Sequence, residues 1–252
     1  MPGSKIFLEY PHRIESGWQG SDLRMHFSYN PLSSIRNSTL ILRRPNHKAP
    51  SSIPFHISKD GIRFINVHAP FRQITEISNY WYDDLRCEDT VIDIGANVGA
   101  FCIRAAKKSQ KTVAIEPVTI KILRHNIDLN GVAVKVIEGA LGDGNPAEIE
   151  WDECRVHSRT YTLKEIIRIA GGCDFLKCDC EGAEWQISPK DLSGIRRIEM
   201  ELHQPPIGEA PKPGLLEYIS STFMFIIDRN PCHSPLGQMG ILHAWRIPDS
   251  RC

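Results

Sequence analysis

The chain has no charge excess of either sign: 30 Lys and Arg stand against 30 Asp and Glu. No global field therefore draws it toward nucleic acid or an acidic membrane. No apolar run approaches the roughly 20 residues of a membrane span. Met1-Pro2-Gly3-Ser4-Lys5 lacks the apolar core of a secretory signal, so the expectation is a cytoplasmic protein with reduced cysteines. The eight cysteines form no C-x-x-C pair and no zinc-ribbon spacing. There is no internal repeat and no low-complexity tract. What remains is a chain of 252 residues, 41% hydrophobic and 24% charged, as in a globular α/β domain with an extension.

The most informative stretch is Thr90-Val91-Ile92-Asp93-Ile94-Gly95-Ala96-Asn97-Val98-Gly99-Ala100-Phe101. Its first half is apolar and β-branched, which suits a strand buried on both faces. It then breaks into Gly95-x-Asn97-x-Gly99 and a good helix former from Ala100 to Lys108. Strand, glycine turn and helix N-terminus aim free amides at a ligand. A dinucleotide fingerprint wants a second glycine where Asn97 stands. Asp93 inside the strand can instead face the ammonium of an amino-acid moiety, which S-adenosylmethionine carries and a nicotinamide cofactor does not.

Thr112-Val113-Ala114-Ile115-Glu116-Pro117 is a second strand, ended by an acid about twenty residues after the turn, where βαβ nucleotide sites bind ribose. Pro117 suits a helix start. A helix over Thr119–Leu129, stopped by Asn130-Gly131, leads to a third strand, Ala133–Ile137, and to Glu138-Gly139-Ala140. Three strand-then-helix units in a row imply a parallel, doubly wound sheet. A fourth strand ends in Lys177-Cys178-Asp179-Cys180-Glu181-Gly182-Ala183-Glu184, three carboxylates within six residues. Asp179, Glu181 and Glu184 are functional candidates, since isolated buried acids need a partner. The other reading is that Glu181 and Glu184 start a helix. Cys178 and Cys180 read as small buried hydrophobes.

VIDIGANVGAF, AIEP, LRHNIDLNGV and FLKCDCEGAEW, in this order, resemble the FkbM-type methyltransferases, a Rossmann-like, class I group dependent on S-adenosylmethionine. The similarity runs from about Phe55 to the C-terminus. Cys178 and Cys180 depart from it, standing where the family usually has aliphatic residues. The resemblance implies a seven-stranded sheet, mostly parallel with its last strand antiparallel, and methyl transfer to a hydroxyl oxygen of a small molecule or glycan. It implies that Asp93, Gly95, Ala96, Asn97 and Gly99 hold the methionine part. Glu116 and Pro117 would border the ribose, Glu138 and Ala140 the adenine, and Asp179 the methyl group. The strand Ile195–His203 would end beside the acceptor.

His203 is the first candidate for a general base, with Asp179 as the alternative and Glu181 beside them. No metal is expected, although Asp179, Glu181 and Glu201 together offer a Mg²⁺-like donor set. Leu215–Ser221 reads as a helix, Phe223–Asp228 and Gly240–Ile247 as strands, and Pro231–Pro235 as the loop between those strands.

Residues 1–85 are expected to form an extension and 86–252 the cofactor-binding domain. The extension contains a β-hairpin near 53–67, with a Lys59-Asp60-Gly61 turn, and a helix over Pro70–Arg86. Its first fifty residues read as a cap beside the active site. Ten Lys and Arg against seven Asp and Glu in residues 1–85, with aromatics, keep RNA open as a second class of acceptor. LRHNIDLNGV also resembles a helix of some tRNA methyltransferases. Against RNA, there is no N-P-P-Y-type loop, no catalytic cysteine motif and no strong basic patch. Nothing in the sequence sets the oligomeric state.

Overall fold

The computed structural model describes residues 55–65, 74–77, 79–151, 154–229 and 237–248. The expected cap at residues 1–50 and the expected loop at Pro231–Pro235 lie outside them.

The core strands are β3 (Thr90–Ile94), β4 (Lys111–Glu116), β5 (Val134–Glu138), β10 (Phe175–Cys178), β11 (Arg197–His203), β12 (Phe223–Asp228) and β13 (Gln238–Arg246). They form one sheet in the order β5-β4-β3-β10-β11-β13-β12. The pairs from β5 to β11 are parallel, and β13 runs antiparallel to both neighbours. The fold is thus the expected mostly parallel, doubly wound α/β sheet with its last strand reversed.

Alternation along the central strands supplies two cores. Ile92 and Ile94 face the layer of α3 (Leu163–Ala170) and α4 (Pro213–Thr222). Val91 faces the layer of α1 (Ala100–Lys108) and α2 (Ile120–Asn130). α2 ends as expected at Gly131, whose left-handed φ of 61° lets the chain turn back.

The hairpin pairs β1 (Phe55–Ile57) with β2 (Arg63–Ile65). It docks on the α1–α2 side. Ile62 and Phe64 join that core, and the backbone amides of Arg63 and Ile65 donate to Asn130 Oδ1 and Asn126 Oδ1 at 3.0 and 2.8 Å.

Two expectations are corrected. β5 does not pass directly into a helix. The two-residue strands β6 (Ala140–Leu141) and β9 (Thr160–Tyr161) and the antiparallel pair β7 (Ala147–Trp151) with β8 (Cys154–Ser158) intervene before α3. Ala147-Glu148-Ile149-Glu150-Trp151 alternates with period two, which is a strand pattern.

The helix expected over Pro70–Arg86 is also absent among the described residues of that range, where there are only turns and a single 3₁₀ step. Three consecutive aromatics there have three destinations. Tyr80 bonds carboxylates, Trp81 stacks on His243 at 3.9 Å, and Tyr82 meets Phe101 edge-on. A helix would present only part of that run to the sheet.

Candidate functional site

Beyond β3 the backbone turns through Gly95 (φ 70°), Asn97 (φ 48°) and Gly99 (φ 95°). Gly95 is obligatory: a Cβ there would sit 1.7 Å from the Asp179 carbonyl oxygen. The turn and the end of β10 are therefore packed backbone to backbone. Gly95 and Asn97 line a cavity with Glu116, Pro117, Ala140 and Asp179. Asn97 Oδ1 is buried with no hydrogen-bond partner among the described residues.

Asp93, Ala96 and Gly99 do not reach that cavity. Asp93 is fully buried, with Oδ2 accepting the Cys102 amide at 3.0 Å and Oδ1 3.2 Å from Lys177 Nζ. Burial raises its pKa, opposed by Lys177. It thus anchors α1 and pairs with a buried lysine. Ala96 is buried in the α1–α2 core, and Gly99 packs on Leu123 and Ile103.

Glu116 ends β4 as expected. Oε1 accepts the Val118 and Thr119 amides at 2.7 and 2.9 Å, and Oε2 accepts the Asn97 amide at 2.8 Å. A carboxylate has about four acceptor positions, so one on Oε2 is left for a ligand hydroxyl. Glu138 points away and pairs with Arg124 at 3.6 Å. The far wall comes from the unforeseen insertion, through Ile149, Glu150 and Trp151.

Behind Asp179, beside the cavity, side chains converge from four segments. The Tyr80 hydroxyl lies 2.9 Å from Asp179 Oδ2 and 3.1 Å from Glu201 Oε2. One hydroxyl proton serves only one of them at a time, so the second bond needs a proton on a carboxyl group. Burial and then the charge of Asp179 raise the Glu201 pKa to about 7, which makes Glu201 the holder of that proton. Its Oε1 also accepts from Gln238. Burial, followed by these two carboxyls, pushes the Tyr80 hydroxyl well above its ordinary value and keeps it a donor.

His203 is enclosed by acids. Its backbone amide donates to Glu184 Oε1 at 2.6 Å, Nδ1 lies 3.2 Å from the same oxygen, and Nε2 lies 3.4 Å from Glu181. Burial opposes its charge, but Glu184, Glu201 and Glu181 outweigh that and lift its pKa to about 9. This favours the imidazolium form. Glu181, at φ 53°, is the most exposed of these acids, and its pKa is raised by burial and by Asp179. Asp179, Glu181 and His203 bring donor atoms within 4.8 Å of one another. Glu184 does not cap an α-helix. It sits in a 3₁₀ turn, Ala183–Gln186, and is buried as the support of His203.

Sequence reasoning missed Tyr80 as a partner of the acids, Lys177, Gln238 and Trp151. Lys177 carried a signal, a cation in the middle of a buried strand. Tyr80 carried none, because it lies 99 residues before Asp179.

No protein-family model matches the chain, and no curated protein matches it. Among solved structures it is similar to an rRNA methylase from Streptococcus thermophilus (11% identity, 65% of this chain and 89% of that one, TM-score 0.45). It is similar to a precorrin-6y C5,15-methyltransferase from Geobacter metallireducens GS-15 (13%, 76% and 94%, TM-score 0.43). It is also similar to an RNA methyltransferase from Salinibacter ruber in complex with S-adenosyl-L-homocysteine (16%, 72% and 93%, TM-score 0.36). Likenesses this distant do not speak to activity, and the fold assignment rests on the strand order. No helix among the described residues is long and apolar enough to cross a membrane.

Proposed function

We propose that the chain is an S-adenosylmethionine-dependent methyltransferase of the FkbM type, working in a reducing cytoplasm on a hydroxyl of a small molecule or glycan. One observation carries this reading: the cavity joins the Gly95–Asn97 turn, the Glu116 carboxyl group and Asp179, and leaves Asn97 Oδ1 buried on its wall with no hydrogen-bond partner among the described residues. These residues fit the cofactor. Asn97 Oδ1 accepts from the ammonium of the amino-acid part, the free position on Glu116 takes a ribose hydroxyl, and Trp151 and Ile149 cover the base. When bound, the sulfonium supplies an electrophilic methyl group for in-line transfer.

The protein's task is then to align the acceptor and accept its proton. Asp179 lines the cavity and takes that proton, while Tyr80 and Glu201 share protons behind it. His203, charged on this reading, orients Glu181 and Glu201 and does not act as the base. The acceptor side of the cavity carries the carboxylates of Asp179 and Glu181, which repel RNA phosphates and favour a neutral polyol over the RNA alternative.

The test is transfer of labelled methyl from S-adenosylmethionine to a panel of sugars and glycolipids, with total tRNA alongside. Label in the hydroxyl compounds is expected. Label in tRNA alone would overturn the acceptor class, and no binding of S-adenosylhomocysteine to folded protein would overturn the enzyme reading.

A further inference from the structure

Cys178 and Cys180 flank Asp179, and their Sγ atoms lie 3.4 Å apart. Cys178 is the last residue of β10 and fully buried, whereas Cys180 lies beyond the sheet ladder and lines the cavity. We propose that these two thiols are a modification site: an oxidant joins them in an intramolecular disulfide that closes the cavity to its cofactor.

With hydrogen peroxide as oxidant, the Cys180 sulfur attacks one peroxide oxygen. The O–O bond breaks, a water leaves, and Cys180 becomes a sulfenic acid. The Cys178 sulfur then attacks Cys180, the S–O bond breaks, and a second water carries off the Cys178 proton. Two thiols lose two electrons and one peroxide becomes two waters. The hydrogen bond to Cys178, followed by burial, pushes the Cys180 thiol well above its ordinary range, so closure is slow and needs excess oxidant.

The sulfurs must close from 3.4 Å to about 2.05 Å. That movement strains two contacts of the site. The Asp179 carbonyl has no slack against Gly95, since it already fills the space a side chain would need there. Cys180 Sγ is 3.6 Å from Glu184 Oε2, an oxygen that also accepts the Gly182 amide in the turn after Asp179. Ring closure therefore pushes on the glycine turn and draws Cys180 away from Glu184.

The experiment uses the full chain treated with excess hydrogen peroxide, alkylated with iodoacetamide and cut with trypsin. Cleavage after Lys177 and Lys190 yields a peptide holding both cysteines and no other. It is expected unalkylated and two hydrogens lighter, and dithiothreitol should reverse this. The same treatment should weaken S-adenosylhomocysteine binding about tenfold or more, and Cys178→Ala should keep its affinity under peroxide. A peptide that stays doubly alkylated while the exposed Cys87 oxidises would overturn the disulfide. A disulfide that leaves affinity unchanged would overturn the closure. The affinity arm rests on the cofactor reading: if the reduced protein binds no S-adenosylhomocysteine, that reading fails while the peptide still decides the disulfide.

Discussion

The cavity is walled mostly by backbone beside β3 and β4, and behind its Asp179 and Glu181 lies a cluster of side chains that do not line it. At the β3–β4 end, the turn amides, the left-handed Gly95 and Asn97, and a carboxyl group satisfied by three amides shape the wall. Few other residues fit there. At the β10–β11 end, Tyr80, Asp179, Glu181, Glu184, Glu201 and His203 share protons among like charges. That end is held together electrostatically and responds to pH. The first end has the rigidity a constant cofactor requires, and the second the adjustability a proton transfer requires.

The largest expected effect is at the point where the two ends touch. Gly95→Ala forces a Cβ onto the Asp179 carbonyl at a positive φ. It should destabilise the fold by about 3 kcal/mol or more and abolish cofactor binding, read by urea unfolding and calorimetry. Next, Glu116→Gln should weaken S-adenosylhomocysteine binding by about ten- to a hundredfold, because a hydrogen bond to a charged group is worth roughly 1.5–3 kcal/mol. Tyr80→Phe removes a donor from the acid cluster. It should lower kcat by about tenfold, with cofactor affinity unchanged.

The smallest effect is on stability against pH. The folded protein binds extra protons at Glu201 between 4.5 and about 7, and at His203 between 6.5 and about 9. In both windows the folded state holds more protons than the unfolded one, so stability falls as pH rises. The His203 contribution is whole below 6.5 and lost on passing 9. Glu201→Gln should therefore be more stable than wild type near pH 8, with the gain fading toward pH 4.5. A gain independent of pH would argue against the shared-proton arrangement.

The same contrast explains what the sequence reveals. The mostly parallel sheet and the glycine turn are legible because buried strands, Gly95 and Gly131 answer to local backbone rules, whereas the reversed last strand is implied only by the family resemblance. The direction in which Asp93 faces is not legible, because an acid two residues before a glycine turn can face either way. The deciding partner, Lys177, belongs to another strand, paired with it in register. His203 is a candidate base from its ordinary pKa; the three acids that raise that pKa come together only in space and leave no local pattern. A helix over Pro70–Arg86 would have carried both Glu76 and Tyr80. Instead Glu76 accepts the Lys59 amide while Tyr80 reaches the acids. A site assembled from distant side chains leaves little local pattern to read.

The division between a cofactor end and a proton-handling end is tested most directly by titrating S-adenosylhomocysteine into wild type, Glu116→Gln and Glu201→Gln in one calorimetric series. The account predicts binding by wild type, a loss of about tenfold or more for Glu116→Gln, and wild-type affinity for Glu201→Gln. Equal losses in both variants, or no binding by folded wild type, would contradict it.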